Sequence, residues 1–368
     1  MIFLQSGSPD ERRRRGRLAE DQVGIVQRSA RPHRKRGRDP GNLEAIPMAH
    51  EDPDLRTSSL PPVLVMVLTE NWTITSPRDL RALVRLAQDA EEAGVDAVML
   101  SEHIVLGPSA GAEGRPFNPK EYAALGNQDP GTPWPDSIVL MSAIAAATTR
   151  LRVVGAAIIA PLRHPLLLAH QLAALDLLSE GRLVVQPTVS WHREEYEALG
   201  VPFEARGELL DEHLVAWREL WRGSPTSFHG RHYSFSDVYL EPKPYRPEGP
   251  RLWFGGMRMS PFILRRLVQY GHGFHPFGRP SDADLERVRN ALRDAGRDPA
   301  QIEIVGGIRP RFPDASRPAD LDEAAASIPD QVAAGYTAIC FNPSQYVDEI
   351  AEVPAICRRL VALTSRAG

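Results

Sequence analysis

After about residue 60, short apolar segments alternate with segments of helical periodicity along the rest of the chain. The first apolar run is Val63–Leu68. It is followed by a segment in which Leu80, Leu83 and Ala87 share one helical face before Gly94. Such alternation is typical of strands that lie parallel in one sheet, each returning through a helix. This pattern constrains the fold more than any single motif does.

The pattern predicts eight strands, at 63–68, 95–100, 151–157, 182–188, 251–255, 273–275, 302–307 and 337–341. It predicts helices at 78–93, 136–148, 166–178, 207–222, 261–270, 282–295, 320–334 and 346–364. Eight strand–helix units close into a barrel. A doubly wound sheet usually has fewer strands and a glycine-rich first turn, which is absent here. We therefore predict an α/β fold, a (β/α)8 TIM barrel, as one domain over residues 61–368.

Composition limits the classes of partner. The chain has 368 residues, 42% of them hydrophobic, which is enough for one large core. A net charge of −4 offers no overall basic surface for nucleic acid. The two cysteines, Cys340 and Cys357, form no CxxC pair, and no run approaches the roughly 18 to 20 apolar residues of a membrane span. We expect a soluble cytoplasmic protein that binds neither nucleic acid nor membrane.

Residues 1–60 differ from the rest of the chain. They contain few aromatic residues and two basic clusters, Arg12–Arg15 and Arg34–Arg38. A segment of this kind cannot bury enough apolar surface to offset its ordering entropy, so we predict a disordered, Arg-rich N-terminal extension. A basic arm for nucleic acid or anionic lipid, or a transit peptide, are the alternatives. Met48 is a second possible translation start, which would leave residues 1–47 untranslated.

Two long segments interrupt the repeat, 104–135 and 223–250. Long loops in a compact barrel usually cover a site, so we predict that both are lids at the C-terminal face of the barrel. Apolar and aromatic side chains in and near these loops favour a moderately apolar organic substrate. These side chains are Phe117, Tyr122, Trp134 and Phe277.

The second predicted strand ends in Glu102 and His103, at the face where barrel enzymes place their catalytic groups. Histidine exchanges a proton near neutral pH, so His103 is the candidate catalytic residue, with Glu102 as a hydrogen-bonding partner. A histidine satisfied by a carboxylate or carbonyl in a polar core layer is the alternative. The pairs His229 with His232 and His272 with His275 have no carboxylate close in sequence, so we expect no metal site.

Gly255 and Gly256 end the fifth predicted strand, just before a helix that begins near Pro261. Without side chains, the backbone there can approach an oxyanion, and the helix N-terminus adds partial positive charge. Gly306 and Gly307, at the seventh strand, are the rival phosphate site, because barrels often bind phosphate after strands seven and eight.

Four stretches resemble the luciferase-like superfamily, in particular its actinobacterial group of coenzyme F420-dependent oxidoreductases. They are 87–103, with its terminal Glu-His; 143–182, ending in Leu-Ser-Glu-Gly-Arg; 191–221; and 242–276, with Trp-Phe-Gly-Gly-Met. They follow the family order over most of 61–280. Three positions depart from the family pattern: Glu102 in place of Asp, Gln186-Pro-Thr-Val-Ser in place of a glycine-rich turn, and Gly271-His-Gly-Phe in place of Gly-Asp-Gly-Trp.

The resemblance implies where a flat-ring cofactor binds. A bulge at the end of the third strand, often with a cis peptide, supports the ring; the turn after the fourth strand lies along the cofactor; and the glycine pair of the fifth strand holds its phosphate. The corresponding residues here are Ala156, Ala157, Ile158, Thr188, Ser190, Trp191, Gly255, Gly256, Met257 and Arg258. Plain packing of the alanines and helix capping by Ser190 are the structural alternatives.

The resemblance implies an oxidoreductase that transfers a hydride between coenzyme F420 and a small organic substrate. An FMNH2-dependent monooxygenase supplied by a separate reductase is the first alternative. A flavin- or deazaflavin-binding barrel without catalytic activity is the second, motivated by the departures at Glu102 and the missing glycines. The resemblance also implies a homodimer.

Overall fold

A computed structural model describes residues 61–76, 78–121, 126–278 and 280–366. The predicted N-terminal extension 1–60, the alternative start at Met48 and the proposed substrate contact Tyr122 lie outside the described residues. The predicted barrel lies almost wholly within them.

Within the described ranges the strands are β1 Val63–Val67, β2 Ala97–Leu100, β3 Arg152–Ile159, β4 Leu183–Thr188, β5 Thr226–His229, β6 Ser234–Val238, β7 Arg251–Phe254, β8 Gly273–Phe274, β9 Glu303–Gly307 and β10 Ala338–Phe341. All except β5 and β6 form one closed barrel, in the order β1-β10-β9-β8-β7-β4-β3-β2. Neighbouring strands are parallel, and the pairing of Val63 with Ala338 closes the ring. The predicted eight-stranded barrel is confirmed.

The α-helices are α1 Leu80–Glu92, α2 Ser137–Ala147, α3 Pro165–Leu178, α4 Arg193–Ala198, α5 Arg206–Arg222, α6 Pro261–Tyr270, α7 Asp282–Asp294, α8 Leu321–Ala325, α9 Ile328–Ala333 and α10 Val353–Thr364. Side-chain caps begin several of them. Asp136 accepts from the N–H of Val139, and Ser260 accepts from the N–H of Ile263. These caps explain why the helices start where the sequence changes from turn residues to apolar periodicity.

The sequence prediction was wrong in detail near the C-terminus, where proline decides the boundaries. The helix predicted over 320–334 is divided into α8 and α9, with Pro329 in the first turn of α9. The helix predicted over 346–364 begins only at Val353, with Pro354 in its first turn. Proline lacks the N–H that a helix interior needs, but it fits the first turn, where that N–H has no partner in the helix.

The segment 223–250 also differs from the prediction. It leaves the end of α5, not the end of a barrel strand, and forms an antiparallel hairpin of β5 and β6. The hairpin turn lies against α5, because the carboxylate of Glu212 accepts the backbone N–H groups of Arg231, His232 and Tyr233. The alternation of apolar residues in this segment was too short to indicate strands.

The barrel interior is apolar in its middle and charged at its base. Small and branched side chains from the strands, together with Trp253, fill the centre. Below them, Arg152 makes two hydrogen bonds to Glu303, at 2.7 and 2.8 Å, and Trp253 Nε1 donates to the same carboxylate. Burial alone would raise the pKa of Glu303, but the charge and hydrogen bonds of Arg152 lower it. The base of the barrel therefore contains a buried ion pair between Arg152 and Glu303.

Both cysteines are buried free thiols, and burial raises the pKa of each to about 12. Such thiols are chemically inert. Among the described helices, none has the length and hydropathy of a membrane span.

Asp176 is a buried carboxylate near the end of α3. Burial raises its pKa to about 6, although the backbone N–H groups of Arg246 and Tyr245 act in the opposite direction. A carboxylate whose pKa rises on folding binds its proton more tightly in the folded state. Its contribution to stability is therefore complete below about pH 4 and is lost as the pH rises through about 6.

We expect Asp176→Asn to remove this pH dependence. The wild-type free energy of unfolding should fall by about 3 kcal/mol relative to the variant between pH 4 and pH 7, from roughly two units of pKa shift. Urea unfolding of both proteins at several pH values measures the difference in their free energies of unfolding. The contributions of the other titrating groups cancel in this difference. A constant difference across this range would contradict the prediction.

Candidate functional site

The carboxyl ends of all eight barrel strands meet at one rim, because the strands are parallel. Polar residues follow several strands there. The hydroxyl oxygens of Thr69, after β1, and Ser101, after β2, lie 3.1 Å apart in a hydrogen bond. The hydroxyl of Ser101 also lies 2.5 Å from a carboxylate oxygen of Glu70, to which it donates. This rim is the candidate active site.

Glu102 lies directly beyond β2 and is held on both oxygens. Arg163 donates to its two oxygens at 2.8 and 3.0 Å, and the backbone N–H of Ile159 donates at 2.8 Å. Burial lowers the pKa of Arg163, but the hydrogen bonds and charge of Glu102 raise it overall. The carboxylate therefore fastens the end of β2 to the end of β3.

His103, the next residue, is buried. Its Nδ1 lies 3.3 Å from Oε2 of Glu195, a fully buried carboxylate on α4. The other carboxylate oxygen of Glu195 accepts the backbone N–H of Ile104 at 2.6 Å and that of Val105 at 3.3 Å. The histidine side chain and the backbone that follows it are therefore held by one acid, which lies 92 residues after His103 in the sequence.

Aromatic rings surround His103. Edge-on contacts join its ring to those of Trp134, Trp191 and His192, with centroids 5.1, 5.9 and 6.3 Å away. His103 and Trp134 also line a cavity of about 380 Å³ with residues 104–106 and 130–133. Trp134 Nε1 is buried and has no hydrogen-bond partner among the described residues. The imidazole therefore borders a partly apolar cavity large enough for a small organic molecule.

His192, directly before α4, and Glu194, in the first turn of α4, hold the loop that follows His103. His192 Nε2 accepts the N–H of Gly107 at 2.7 Å, and Glu194 accepts the N–H and hydroxyl of Ser109 at 3.1 and 3.0 Å. Burial lowers the pKa of His192, which favours the neutral form that can accept this bond. The first part of the predicted lid 104–135 is thus held against α4.

The end of β3 has the expected irregularity. The pairing of β3 with β4 shifts register between Ala156 and Ile158, and the Ala156–Ala157 peptide bond is cis. Ala156 and Ile158 are buried and Ala157 is half-buried. The structure brings this bulge to the same rim as His103, through the bond from Ile159 to Glu102.

Thr188 ends β4, and Ser190 and Trp191 lie in the turn that follows; all three are half-buried. Ser190 has a positive φ of 55°, a conformation that favours glycine and that non-glycine residues adopt rarely. The chain therefore keeps the glycine-like turn geometry although serine has replaced the family's glycine. The hydroxyl of Ser190 lies 3.5 Å from the N–H of His192, which is a long contact.

Gln186 and His275 form a buried pair inside the barrel below the rim. His275 Nδ1 lies 2.7 Å from Gln186 Oε1, and burial lowers the pKa of His275 to about 4, so the ring is neutral. Gln186 Nε2 is buried and has no partner within the described part of the chain. Gln186 is one of the departures from the family pattern, and His275 belongs to a histidine pair considered above, but the contact between them was not predicted from the sequence.

The predicted phosphate-binding glycines have different surroundings. A Cβ on Gly255 would overlap the backbone carbonyl of His275, so this glycine is required by strand packing. A Cβ on Gly256 would meet only Ile263 Cδ1, at 3.1 Å. The backbone N–H groups of Gly256, Met257 and Arg258 donate to no partner in the described residues, and Met257 is 76% exposed.

The rival glycines are less accessible. A Cβ on Gly306 would overlap the side chains of Gln331 and Tyr336, and the N–H of Gly307 already donates to Gln331. Of the predicted histidine pairs, His232 binds Glu208 and His272 accepts from the N–H of Leu252. No group of three or more metal-binding side chains occurs among the described residues.

Glu195, Arg163 and the contacts of His192 were not predicted from the sequence. The acidic run Glu194-Glu195 was part of the quoted resemblance, yet no periodicity distinguishes a buried glutamate from an exposed one on a helix of six residues. Only the tertiary contact with the loop after β2 shows the difference.

The described strands form a closed parallel (β/α)8 barrel, and His103 follows its second strand at the face where barrel enzymes place their active sites. The model of the luciferase-like monooxygenase family matches residues 62–338. The chain belongs to this family, and it is an oxidoreductase.

The curated relatives include an uncharacterized protein of Mycobacterium tuberculosis, 30% identical over 232 residues, which span 62% of this chain and 77% of the relative. An FMNH2-dependent dimethylsulfone monooxygenase of Pseudomonas putida is 34% identical over 124 residues, 33% of this chain and 34% of that protein.

Solved structures share the fold at low identity. An F420-dependent secondary alcohol dehydrogenase in complex with an F420-acetone adduct has a TM-score of 0.61 and 15% identity, over 83% of this chain and 99% of that one. The monooxygenase RslO1 of Streptomyces bottropensis has a TM-score of 0.60 and 20% identity, over 81% and 97%.

We expect the two neighbouring glycines to respond differently to alanine. Gly255→Ala should destabilise the protein by about 2 kcal/mol or more, because its Cβ cannot fit beside the His275 carbonyl without a backbone shift. Gly256→Ala, the matched control, should change stability by less than about 1 kcal/mol. Urea unfolding measures both, and equal stabilities would show that the close approach at Gly255 is not a constraint.

Proposed function

We propose that this chain is a coenzyme F420-dependent oxidoreductase, which transfers a hydride between the deazaflavin and a small, moderately apolar organic substrate. The observation that carries the proposal is the position of His103, a buried imidazole at the carboxyl end of β2 that borders a cavity of about 380 Å³. The shared fold of the F420-dependent alcohol dehydrogenase is consistent with this proposal.

The residues at the rim fit a phosphorylated cofactor with a flat ring. Gly256, Met257 and Arg258 offer backbone N–H groups ahead of the ten-residue helix α6, whose N-terminus favours an anion. Ala156, Ala157 and Ile158 form the bulge on which the ring would lie. Thr188, Ser190 and Trp191 would contact the rest of the cofactor. The unpartnered Nε2 of Gln186 is a further donor near the ring site.

Coenzyme F420, when bound, supplies a hydride carrier at C5 of its deazaflavin ring. The protein supplies the proton. His103 can give a proton to, or take one from, a substrate oxygen, as conversion between an alcohol and a carbonyl compound requires. The indoles of Trp134 and Trp191 border the imidazole and limit the access of water. Glu102, paired with Arg163, holds the strand end in place and takes no part in proton transfer.

A monooxygenase that uses FMNH2 from a separate reductase is the second candidate. The 34% identity with the dimethylsulfone monooxygenase over 124 residues favours it. The same rim residues would bind FMN, and the lid held by α4 would shield an oxygenating site from water. The two candidates differ in the cofactor they bind, so binding distinguishes them.

A homodimer in the cytoplasm completes the proposal. Helices α2 and α3 expose apolar side chains on their outer faces, among them Val139, which is 62% exposed, and Leu167, which is 52% exposed. A second copy of the chain would cover such a face, since most oligomers of soluble proteins are symmetric dimers. Light scattering measures the mass in solution, and a monomer would contradict this part of the proposal.

We expect the purified protein to bind coenzyme F420 more tightly than FMN. Fluorescence anisotropy of each ligand, under identical buffer and salt, measures the two dissociation constants. Gly256→Val should weaken F420 binding at least ~10-fold through steric exclusion of the phosphate. Gly223→Val is the control, because a Cβ there meets nothing within 4 Å. Selective binding of FMN would favour the monooxygenase, and binding of neither would favour the non-catalytic barrel.

We expect His103→Ala to bind the cofactor as the wild type does and to lower turnover about 10² to 10⁴-fold, the range for loss of a general acid or base. Single-turnover hydride transfer with reduced F420 and a panel of ketones and aldehydes measures the rate. Thermal unfolding controls for folding of the variant. Unchanged turnover would refute a catalytic role for this histidine.

A further inference from the structure

The strongest observation outside the predicted site is the burial of Glu195. An ionised carboxylate is costly to bury unless hydrogen bonds or an opposite charge compensate it. Within the described ranges, the side chain of Glu195 has its hydrogen-bond partners in three consecutive residues after β2: the ring of His103 and the backbone N–H groups of Ile104 and Val105. Its hydrogen bonds are therefore directed at the candidate catalytic residue and its flanking backbone.

The two oxygens of Glu195 have separate roles. Oε1 accepts the two backbone N–H groups, which fix the path of the chain, and Oε2 faces Nδ1 of His103. Because an ionised carboxylate only accepts hydrogen bonds, this contact is a hydrogen bond when Nδ1 of His103 carries the proton. In the neutral ring this leaves the lone pair on Nε2. No hydrogen bond among the described residues occupies Nε2 of His103.

The other charged groups near His103 are matched elsewhere. Glu102 is paired with Arg163 on both oxygens. His192, whose pKa is lowered by burial, accepts the N–H of Gly107. The charge of Glu195 also raises the pKa of Arg163, but by less than the charge of Glu102 does. His103 is consequently the only side chain in direct polar contact with Glu195 among the described residues.

Glu194, the preceding residue, provides an internal comparison. It is partly exposed and binds the N–H and hydroxyl of Ser109, farther along the same loop. Glu194 and Glu195 therefore both fasten this loop, but only Glu195 touches the imidazole. If an effect on turnover arises from the loop alone, substitution of either glutamate should cause it. If it arises from the histidine, only substitution of Glu195 should cause it.

We propose that Glu195 is the positioning residue of His103: it holds the imidazole with the proton on Nδ1 and leaves Nε2 for exchange with substrate. This inference rests on the proposed function for its consequence in turnover. The tautomer of His103 is a property of the protein alone and can be measured without any cofactor.

The first experiment compares Glu195→Gln with Glu194→Gln in F420-dependent turnover. Glutamine at 195 can still accept a backbone N–H, but its amide group presents a donor to Nδ1 and removes the charge. We expect Glu195→Gln to lower turnover about 10 to 100-fold and to move the inflection of the pH–rate profile toward lower pH, because a negative charge beside the imidazole is lost. Glu194→Gln should change neither, and both variants should bind F420 normally. Wild-type turnover and profile in Glu195→Gln would overturn the proposal.

The second experiment uses ¹⁵N NMR of the histidine side chains in the full chain without cofactor, with His103→Gln to assign the signals. We expect the His103 tautomer protonated at Nδ1 in the wild type and the opposite tautomer in Glu195→Gln. A wild-type ring protonated at Nε2 would overturn the proposal even if Glu195→Gln failed to fold. If the wild type shows the expected tautomer but has no activity with coenzyme F420 or with FMNH2, the positioning role is supported and the proposed function is refuted.

Discussion

The closed ring of parallel backbone hydrogen bonds is the constraint on which the rest of the structure depends. Once β1 pairs with β10, every strand has two neighbours and all carboxyl ends reach one rim. Residues distant in sequence, such as His103 and Glu195, then meet there. The barrel interior below them is filled with packed side chains.

Buried charge is compensated at each level of the barrel. At the base, Glu303 is paired with Arg152. At the rim, Glu102 is paired with Arg163, while Glu195 has mainly backbone N–H groups and one histidine. Because an unmatched buried charge is costly, these carboxylates hold strand ends and loops in defined positions. Of these three carboxylates, Glu195 is the one without an arginine partner, and it faces the group proposed to carry the proton.

The departures from the family pattern are accommodated in different ways. Glu102 reaches Arg163 and Ile159, so its longer side chain becomes part of the scaffold. Ser190 adopts a positive φ, so the backbone path of a glycine turn is kept. Gln186 pairs with His275 inside the barrel, which adds polar groups close to where the family resemblance places the ring. The last of these alters the chemistry of the site more than the shape of the fold.

The sequence by itself determined the barrel, because eight apolar runs separated by helical periodicity close into a ring of eight parallel strands. It also determined that His103 and Gly256 follow strands at the same rim. It misjudged the helices near Pro329 and Pro354 and did not detect the β5–β6 hairpin. Tertiary structure alone decided which acid contacts His103. Strand and helix periodicities report only which face of an element is buried. They do not report which distant side chain lies opposite, because that depends on how the closed barrel brings its loops together.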